Sequence, residues 1–270
     1  MQKADPSALA TQGSSELAAL LAAATDIARA AAVEVMAVYA SAFEAQRKDD
    51  ASPVTQADLR AEALIVPALL ALLPGVPVVA EEAASRGQVA SAADLPRRFW
   101  LVDPLDGTRE FVARNGEFTV NIALVEDGAP VLGVVLAPAI GRTFLGARGC
   151  SAWAEADGVR RAINCRAAPA DGLVLACSRS HGDESAMSRW LGTQRIARRV
   201  VAGSSLKFGL IAAAEADVYP RLGRTMEWDT AAGHAVLAAA GGSVCDLAGQ
   251  PLRYGKPGYE NPHFVARGGA

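Results

Sequence analysis

Hydrophobic residues recur at helical spacing near the start of the chain, and this pattern predicts two helices. The first is predicted over residues 16–45, whereas residues 1–15 show no apolar period and are expected to form a flexible tail. The second is predicted to begin after Thr55 and to end near residue 73. Thr55 has the chemistry of an N-cap, and Asp58 three residues later completes a weaker version of a capping box. On the residues alone, a capping role and a catalytic role for Asp58 are equally well supported.

Apolar runs bounded by turn residues predict the strands of the first half. Two of these runs, at residues 76–80 and 99–102, are short and continuous, and acidic residues follow each of them directly. The alternating residues 116–124 predict a further strand, and Asp127-Gly128 is a hairpin signal. Returning strands at 131–137 and 143–147 complete the pattern expected of an antiparallel meander.

Strands and helices alternate in the second half of the chain. Strands are predicted at residues 173–177, 199–201 and 217–219, and helices at 183–191, 205–214 and 229–240. A stretch rich in Ala, Pro and Gly near residues 165–172 indicates a domain boundary. We therefore expect an N-terminal α+β sub-domain of residues 16–168 and a C-terminal α/β sub-domain of residues 169–270.

The sequence Asp103-Pro104-Leu105-Asp106-Gly107 ends the predicted strand 99–102 abruptly. Its two carboxylates, together with the carbonyl of Leu105, can form an oxygen-rich cup for a hard divalent cation such as Mg²⁺. The amides of Gly107 and Thr108 would then face a bound phosphate. The alternative is an ordinary turn, because Asp-Pro and Asp-Gly are common turn formers and the motif taken alone favours that interpretation.

Further acids lie at the ends of predicted elements. Glu81 and Glu82 directly follow the predicted strand 76–80, where plain surface solvation is the alternative interpretation. Asp229 begins the predicted helix 229–240, and Gly241 is positioned as its C-cap. Asp229 can therefore be an N-cap, but the same position suits a metal ligand, because the helix dipole favours the ionised carboxylate.

The composition argues against two classes of protein. With 270 residues and a net charge of -3, the chain lacks the basic excess of a general nucleic-acid or membrane-surface binder. The uncharged residues 64–80 are interrupted by three prolines and are shorter than the ~20 residues of a membrane span, so no integral membrane segment is expected. The first residues lack the pattern of a signal peptide. A cytoplasmic location is the expectation.

Three motifs together resemble those of the inositol monophosphatase superfamily. They are Glu81-Glu82, Asp103-Pro-Leu-Asp-Gly-Thr108 and Trp228-Asp229, and the resemblance runs from about Pro53 to Gly242. It implies an α+β fold, the layered αβαβα sandwich of the inositol monophosphatase and fructose-1,6-bisphosphatase type. It also implies a Mg²⁺-dependent phosphatase that lithium inhibits.

The resemblance further implies the ligands of two metal ions. Glu81, Asp103 and the Leu105 carbonyl would bind the first Mg²⁺, and Asp103, Asp106 and Asp229 the second. Two or three ions per site are expected, with Li⁺ and Ca²⁺ inhibitory. The catalytic residues would be Glu81, Asp58 and Thr108, with the Thr108 hydroxyl hydrogen-bonded to Asp58 and orienting the attacking water.

Within the superfamily, the chain is most similar to the bacterial 3'(2'),5'-bisphosphate nucleotidases of the CysQ type. The similarity is carried by Arg114–Ala123, Ser178–His181, Gly203–Phe208 and Tyr219–Gly223. It implies release of the 3'-phosphate of adenosine 3',5'-bisphosphate to give AMP. The substrate contacts that it implies are Leu105, Asp106, Gly107, Thr108, His181, Ser204, Lys207, Arg221 and Asp229.

Arg221 carries the argument for the substrate. It stands where the inositol enzymes have a glutamate that accepts sugar hydroxyls, and a guanidinium cannot accept hydrogen bonds but can hold a second phosphate. Lys207 would add positive charge. The chief alternative is a phosphatase of the same fold acting on inositol-1-phosphate or another sugar phosphate, and the next is a catalytically silent protein on this scaffold. A homodimer and peripheral association with the cytoplasmic side of the inner membrane both stay open.

Overall fold

The computed structural model describes residues 6–42, 46–47, 53–179 and 184–269. Its helices are α1 (Pro6–Tyr39), α2 (Gln56–Leu72), α3 (Glu81–Ser85), α4 (Thr108–Val112), α5 (Glu184–Leu191), α6 (Leu206–Ala212) and α7 (Ala231–Ala239). Two short strands, β1 (Gln46–Arg47) and β2 (Pro53–Val54), pair with each other. The next strands are β3 (Val78–Ala80), β4 (Arg98–Asp106), β5 (Thr119–Glu126), β6 (Ala129–Ala137), β7 (Arg142–Ala147), β8 (Ala152–Ala156) and β9 (Val159–Ile163). The last five are β10 (Leu173–Ser178), β11 (Ile196–Ala202), β12 (Val218–Arg221), β13 (Ser243–Asp246) and β14 (Phe264–Arg267).

Helix α1 begins ten residues earlier than the sequence pattern predicts. It starts at Pro6 rather than at Glu16, so the tail expected over residues 1–15 is helical from Pro6 onward, and the helix ends at Tyr39 rather than at residue 45. Residues 1–5 lie outside the described part of the chain. The early start is consistent with the alanine and leucine of this stretch, which favour a helix without any apolar period, and with proline at the first helical position.

The first half forms a seven-stranded sheet with the strand order β3-β4-β5-β6-β7-β8-β9. Neighbours from β4 to β9 pair antiparallel, which confirms the predicted meander, and β3 pairs with β4 in parallel. Strands β8 and β9 were not predicted. Most of their residues are alanine or charged, and the two strands are less buried than the central ones, so the apolar signal is weak.

The second half forms a five-stranded sheet with the order β11-β10-β12-β14-β13. Strand β10 is parallel to β11 and β12, as expected of alternating strands and helices, whereas β14 is antiparallel to β12 and β13. The proposed division at residues 168 and 169 falls between the last strand of one sheet and the first strand of the other.

Three apolar cores hold these elements in five layers. Helices α1 and α2 cover one face of the seven-stranded sheet, and α6 and α7 lie between its other face and the five-stranded sheet. Residues of α5 pack on the outer face of the five-stranded sheet. The expected α+β fold with an αβαβα sandwich is thereby confirmed. No helix in the described ranges has both the length and the apolar character needed to cross a membrane.

Close packing brings α7 against the seven-stranded sheet. A Cβ atom added at Gly133 of β6 would lie only 2.2 Å from the carbonyl oxygen of Ala232, so only glycine allows this approach. The start of α7 is thereby held near the ends of β3 and β4, which is where the acidic motifs lie.

Candidate active site

Strand register brings the first two acidic motifs to one edge of the seven-stranded sheet. Ala80 of β3 is paired in parallel with Val102 of β4, so Glu81 and Asp103 leave the sheet side by side. The pairing of β4 with β5 shifts between Asp103 and Asp106, where Pro104 cannot donate a ladder hydrogen bond. This irregularity turns the chain so that both aspartates lie at the strand end.

The third motif joins them from the other half of the chain. Carboxylate oxygens of Glu81, Asp103 and Asp229 lie within 4.8 Å of one another. Asp229 does not cap α7, because Thr230 is the N-cap residue and the Oδ2 atom of Asp229 instead accepts a hydrogen bond of 2.8 Å from the amide of Met226. The N-cap interpretation of Asp229 is therefore wrong.

The carboxylates of this cluster repel one another in the absence of a cation. Desolvation raises the pKa of Asp103 well above its ordinary value, and the neighbouring charges of Glu81, Asp106 and Asp229 raise it further. Desolvation and the charges of Asp106 and Glu81 likewise raise the pKa of Asp229. Four carboxylates with mutual repulsion, all offering hard oxygen ligands, fit a divalent cation.

The expected pair of Asp58 and Thr108 is arranged differently. The Oδ2 atom of Asp58 accepts hydrogen bonds of 2.7 Å from both the amide and the hydroxyl of Thr55, which confirms the predicted capping box. The hydroxyl of Thr108 donates to the Leu105 carbonyl at 3.3 Å. The hydrogen bond expected between Thr108 and Asp58 is therefore not formed within the described chain, because the cap of α2 holds Asp58.

Asp58 nevertheless lies in the electrostatic field of the cluster. It is 1 % exposed, and desolvation raises its pKa to about 7, with smaller contributions from the charges of Glu82 and Glu81 and an opposing effect of the hydrogen bonds from Thr55. A carboxyl with a pKa near neutrality can both take up and release a proton at physiological pH.

Gly107 shapes the turn between β4 and α4. Its φ is 89°, a left-handed value that favours glycine. A Cβ atom there would lie 3.2 Å from the Cβ of Ser204 and from the carbonyl oxygen of Glu117, so the turn is also closely packed against the loop before α6. The amides of Gly107 and Thr108 are thus at the cavity that this loop borders.

A cavity of about 1210 Å³ opens over the carboxylates and is large enough for a nucleotide. Besides the cluster itself, Ser204 and Arg221 line it. Ser204 has a φ of 44°, and its buried hydroxyl has no hydrogen-bond partner in the part of the chain that the structure describes. Strain and an unpartnered buried donor at one residue are common features of a ligand site.

Arg221 lies at the end of β12 and is 8 % exposed. One terminal nitrogen of its guanidinium donates to the Ser178 hydroxyl at 3.1 Å, and the other donates to the Arg224 carbonyl at 2.8 Å. Its buried Nε–H has no partner among the described residues. Arg221 therefore holds a positive charge in a fixed position at the wall of the cavity.

Lys207 has more protein partners than the sequence suggests. Its ammonium donates to the carbonyls of Ala202 at 3.1 Å and Ser204 at 2.5 Å, and it lies 5.0 Å from the centre of the Tyr219 ring. Desolvation lowers its pKa to about 8, the charge of Asp106 opposes that change, and the charge of Arg221 adds to it. Two of its three N–H donors are thus committed to the turn before α6.

One predicted substrate contact, His181, lies outside the described residues. Conversely, two residues were not assigned a role from the sequence although they belong to motifs quoted there: Ser205 and Asn121, whose side chains hydrogen-bond Asp106. In the sequence, the only indication of a role was that these polar residues stand next to apolar ones. The fold is needed to show which carboxylate their side chains contact.

Comparison with known proteins gives a consistent result. The model of the inositol monophosphatase family matches residues 16–266. The 3'(2'),5'-bisphosphate nucleotidase CysQ of Salmonella typhimurium is 46% identical, covering 88% of this chain and 95% of that protein. The crystal structure of CysQ from Bacteroides thetaiotaomicron superimposes with a TM-score of 0.75 at 35% identity, covering 93% of this chain and 98% of that one. An inositol monophosphatase (IMPase) of Thermotoga maritima superimposes with a TM-score of 0.73 at 26% identity, covering 90% and 89%.

Proposed function

The chain belongs to the inositol monophosphatase family, whose members are metal-dependent, and we propose that it is a Mg²⁺-dependent 3'(2'),5'-bisphosphate nucleotidase. It hydrolyses the 3'-phosphate of adenosine 3',5'-bisphosphate to AMP and inorganic phosphate. The similarity to CysQ proteins over most of the chain supports the substrate class, and the clustered carboxylates support the metal dependence.

The proposed metal ligands are the residues of the carboxylate cluster and one carbonyl. Glu81, Asp103 and the Leu105 carbonyl would hold one Mg²⁺, and Asp103, Asp106 and Asp229 would hold another. When bound, the ions activate the attacking water and balance the charge of the phosphate. Li⁺ and Ca²⁺ are expected to inhibit by competing for these ligands.

The remaining chemistry is assigned to side chains and amides around the cluster. We assign orientation of the attacking water to the Thr108 hydroxyl and uptake of its proton to Asp58, whose pKa of about 7 suits that role although its carboxylate bonds Thr55 rather than Thr108 in this structure. The amides of Gly107 and Thr108 hold the phosphate oxygens. The water attacks the phosphorus directly as the bond to the 3'-oxygen breaks, so no covalent phosphoenzyme forms, and the leaving 3'-oxygen of AMP takes up a proton.

The choice of substrate rests on the position of Arg221, whose positive charge lies at the wall of the cavity. A guanidinium at the wall of the cavity favours an anionic ligand, because it can donate charge-assisted hydrogen bonds to that ligand. A phosphate that is not being hydrolysed supplies anionic acceptors, whereas the hydroxyls of inositol are weaker ones. Lys207 adds positive charge at longer range, and Ser204, which lines the same cavity, is a further proposed contact.

Phosphate release from adenosine 3',5'-bisphosphate and from inositol-1-phosphate, measured side by side with Mg²⁺, tests this substrate. We expect kcat/KM to favour the bisphosphate by about a hundredfold or more, since one or two charge-assisted hydrogen bonds of about 1.5 to 3 kcal/mol each are at stake. Preference for the inositol ester would contradict the proposed substrate and leave the metal site in place. Release from neither ester would contradict the phosphatase assignment itself.

The stabilisation by Mg²⁺ is expected to grow with pH. The pKa values of Asp103 and Asp229 are raised, so protons compete with the cation at low pH and are displaced more easily as the pH rises. The apparent affinity should rise by up to about tenfold per pH unit for each proton released. The measurement is the difference in Tm with and without Mg²⁺ from pH 6 to pH 8.5.

Taking the difference between the two Tm values cancels the effect of any group whose protonation does not depend on Mg²⁺. The buried His234, whose pKa desolvation lowers to about 4, affects both samples equally. In Asp103→Asn the difference should be small at every pH. A difference that is constant or falls with pH in the unaltered protein would contradict the proposed competition.

A further inference from the structure

Ser205 occupies the N-cap position of α6 but does not cap the helix. Its side chain makes no hydrogen bond to the amides of the first turn, although serine is a preferred N-cap residue. Ser205 is also 1 % exposed, so the hydroxyl is withheld from solvent. A buried hydroxyl that gives up its capping bond is engaged elsewhere.

The hydroxyl of Ser205 lies between two of the proposed metal ligands. Its Oγ atom lies 2.7 Å from Oδ2 of Asp106 and 2.5 Å from the backbone carbonyl oxygen of Asp229. The Nδ2 atom of Asn121 donates to the same Oγ atom at 3.0 Å and to Oδ2 of Asp106 at 3.3 Å. The hydroxyl carries one hydrogen, and an ionised carboxylate is the stronger of its two acceptors.

This arrangement distinguishes the two oxygens of Asp106. Both hydrogen bonds described for its side chain reach Oδ2, so Oδ1 is the oxygen left to face a cation. Asp106 ends β4 of the seven-stranded sheet, whereas Asp229 precedes α7 in the other half of the chain. Ser205 therefore spans the junction at which the two halves complete the site.

We propose that Ser205 is a positioning residue for the metal site, which holds the Asp106 carboxylate, beside the Asp229 backbone, in the orientation that binds the cation. The inference rests on the proposed metal dependence and adds a residue to it. Groups that orient metal ligands through hydrogen bonds typically change metal affinity by about 10- to 100-fold when removed. Ser205→Ala should therefore weaken metal binding by that factor.

The neighbouring serine provides a matched control. Ser204 lies in the same turn, and its buried hydroxyl has no partner among the described residues. Ser204→Ala should therefore leave metal affinity within about twofold of the unaltered protein, whatever its effect on the substrate. Ser205→Cys keeps a side chain of similar size but offers only a weak donor, so its affinity should also fall. Ser205→Thr keeps the hydroxyl and should retain most of the affinity.

The experiment measures Mn²⁺ binding to each full-length variant by the electron paramagnetic resonance of free Mn²⁺, with no nucleotide present. Mn²⁺ serves as the probe because it takes the same oxygen ligands as Mg²⁺. In parallel, turnover is measured against Mg²⁺ concentration. We expect Ser205→Ala to recover much of its rate at high Mg²⁺ with an unchanged KM for the nucleotide, a response that general loss of stability does not produce.

The outcomes separate this inference from the proposed function. Weak binding by Ser205→Ala and Ser205→Cys with normal binding by Ser204→Ala would support the positioning role. Unaltered Mn²⁺ affinity in the folded Ser205→Ala or Ser205→Cys protein would overturn it and leave the metal site standing. If the unaltered protein binds no Mn²⁺, the proposed metal dependence itself fails, and the role of Ser205 fails with it.

Discussion

Asp103→Asn is expected to reduce turnover by about a thousandfold or more while the protein stays folded. Asp103 is 1 % exposed and lies in the group with Glu81 and Asp229 whose ligand atoms are within 4.8 Å of one another. It is also the one carboxylate proposed to contact both ions. Loss of metal-assisted charge stabilisation costs several kcal/mol in the transition state, and each 1.36 kcal/mol corresponds to about a tenfold change in rate.

The same substitution should change stability in the opposite direction to most core mutations. Desolvation and three neighbouring charges raise the pKa of Asp103, so its ionised form destabilises the metal-free protein. Asparagine removes that charge at nearly constant volume. In the presence of a chelator the Tm of Asp103→Asn should therefore equal or exceed that of the unaltered protein, and added Mg²⁺ should raise it less.

Asp217→Asn is the matched control for a buried aspartate outside the site. Asp217 accepts two hydrogen bonds from Arg166 and one from the amide of Val174, and its pKa is lowered, so its ionised form stabilises the fold. This variant should have a lower Tm but normal turnover at temperatures well below it. Wild-type turnover in Asp103→Asn would contradict the assigned metal site.

Arg221→Gln is expected to remove the preference for a second phosphate. For the unaltered protein, kcat/KM for adenosine 3',5'-bisphosphate should exceed that for adenosine 3'-monophosphate by about a hundredfold, because one or two charge-assisted hydrogen bonds to the 5'-phosphate are lost in the monophosphate. In Arg221→Gln the two values should become similar. The fall should be confined to the bisphosphate, since the phosphate being hydrolysed is held elsewhere.

The monophosphate serves as an internal control for the fold. Arg221 also donates to Ser178 and Arg224, so its loss can disturb the cavity, and equal losses for both nucleotides would show a structural effect and contradict the assigned contact. Arg97→Gln is the charge-matched control. The Arg97 side chain is 83% exposed and pairs with Asp127 at the surface, so its removal should leave both values unchanged.

Much of the local structure follows from neighbouring residues in the chain. The apolar run before Asp103 predicted a strand that ends in a turn, and Thr55 with Asp58 predicted the cap of α2. These features depend on contacts within a few residues. By contrast, β13 and β14 went unpredicted, because β14 lies between β12 and β13 and its pairing depends on segments distant in sequence.

The residue types of the candidate site were determined by the sequence, whereas its geometry was decided by the tertiary structure. The acids at the ends of predicted strands and the cation at position 221 could be read from their immediate surroundings. That Asp229 meets Glu81 and Asp103, however, depends on the close contact of α7 with Gly133. Packing between distant segments likewise brings Ser205 to Asp106. Sequence spacing carries no such information, because side chains find these partners only once separate elements are packed together.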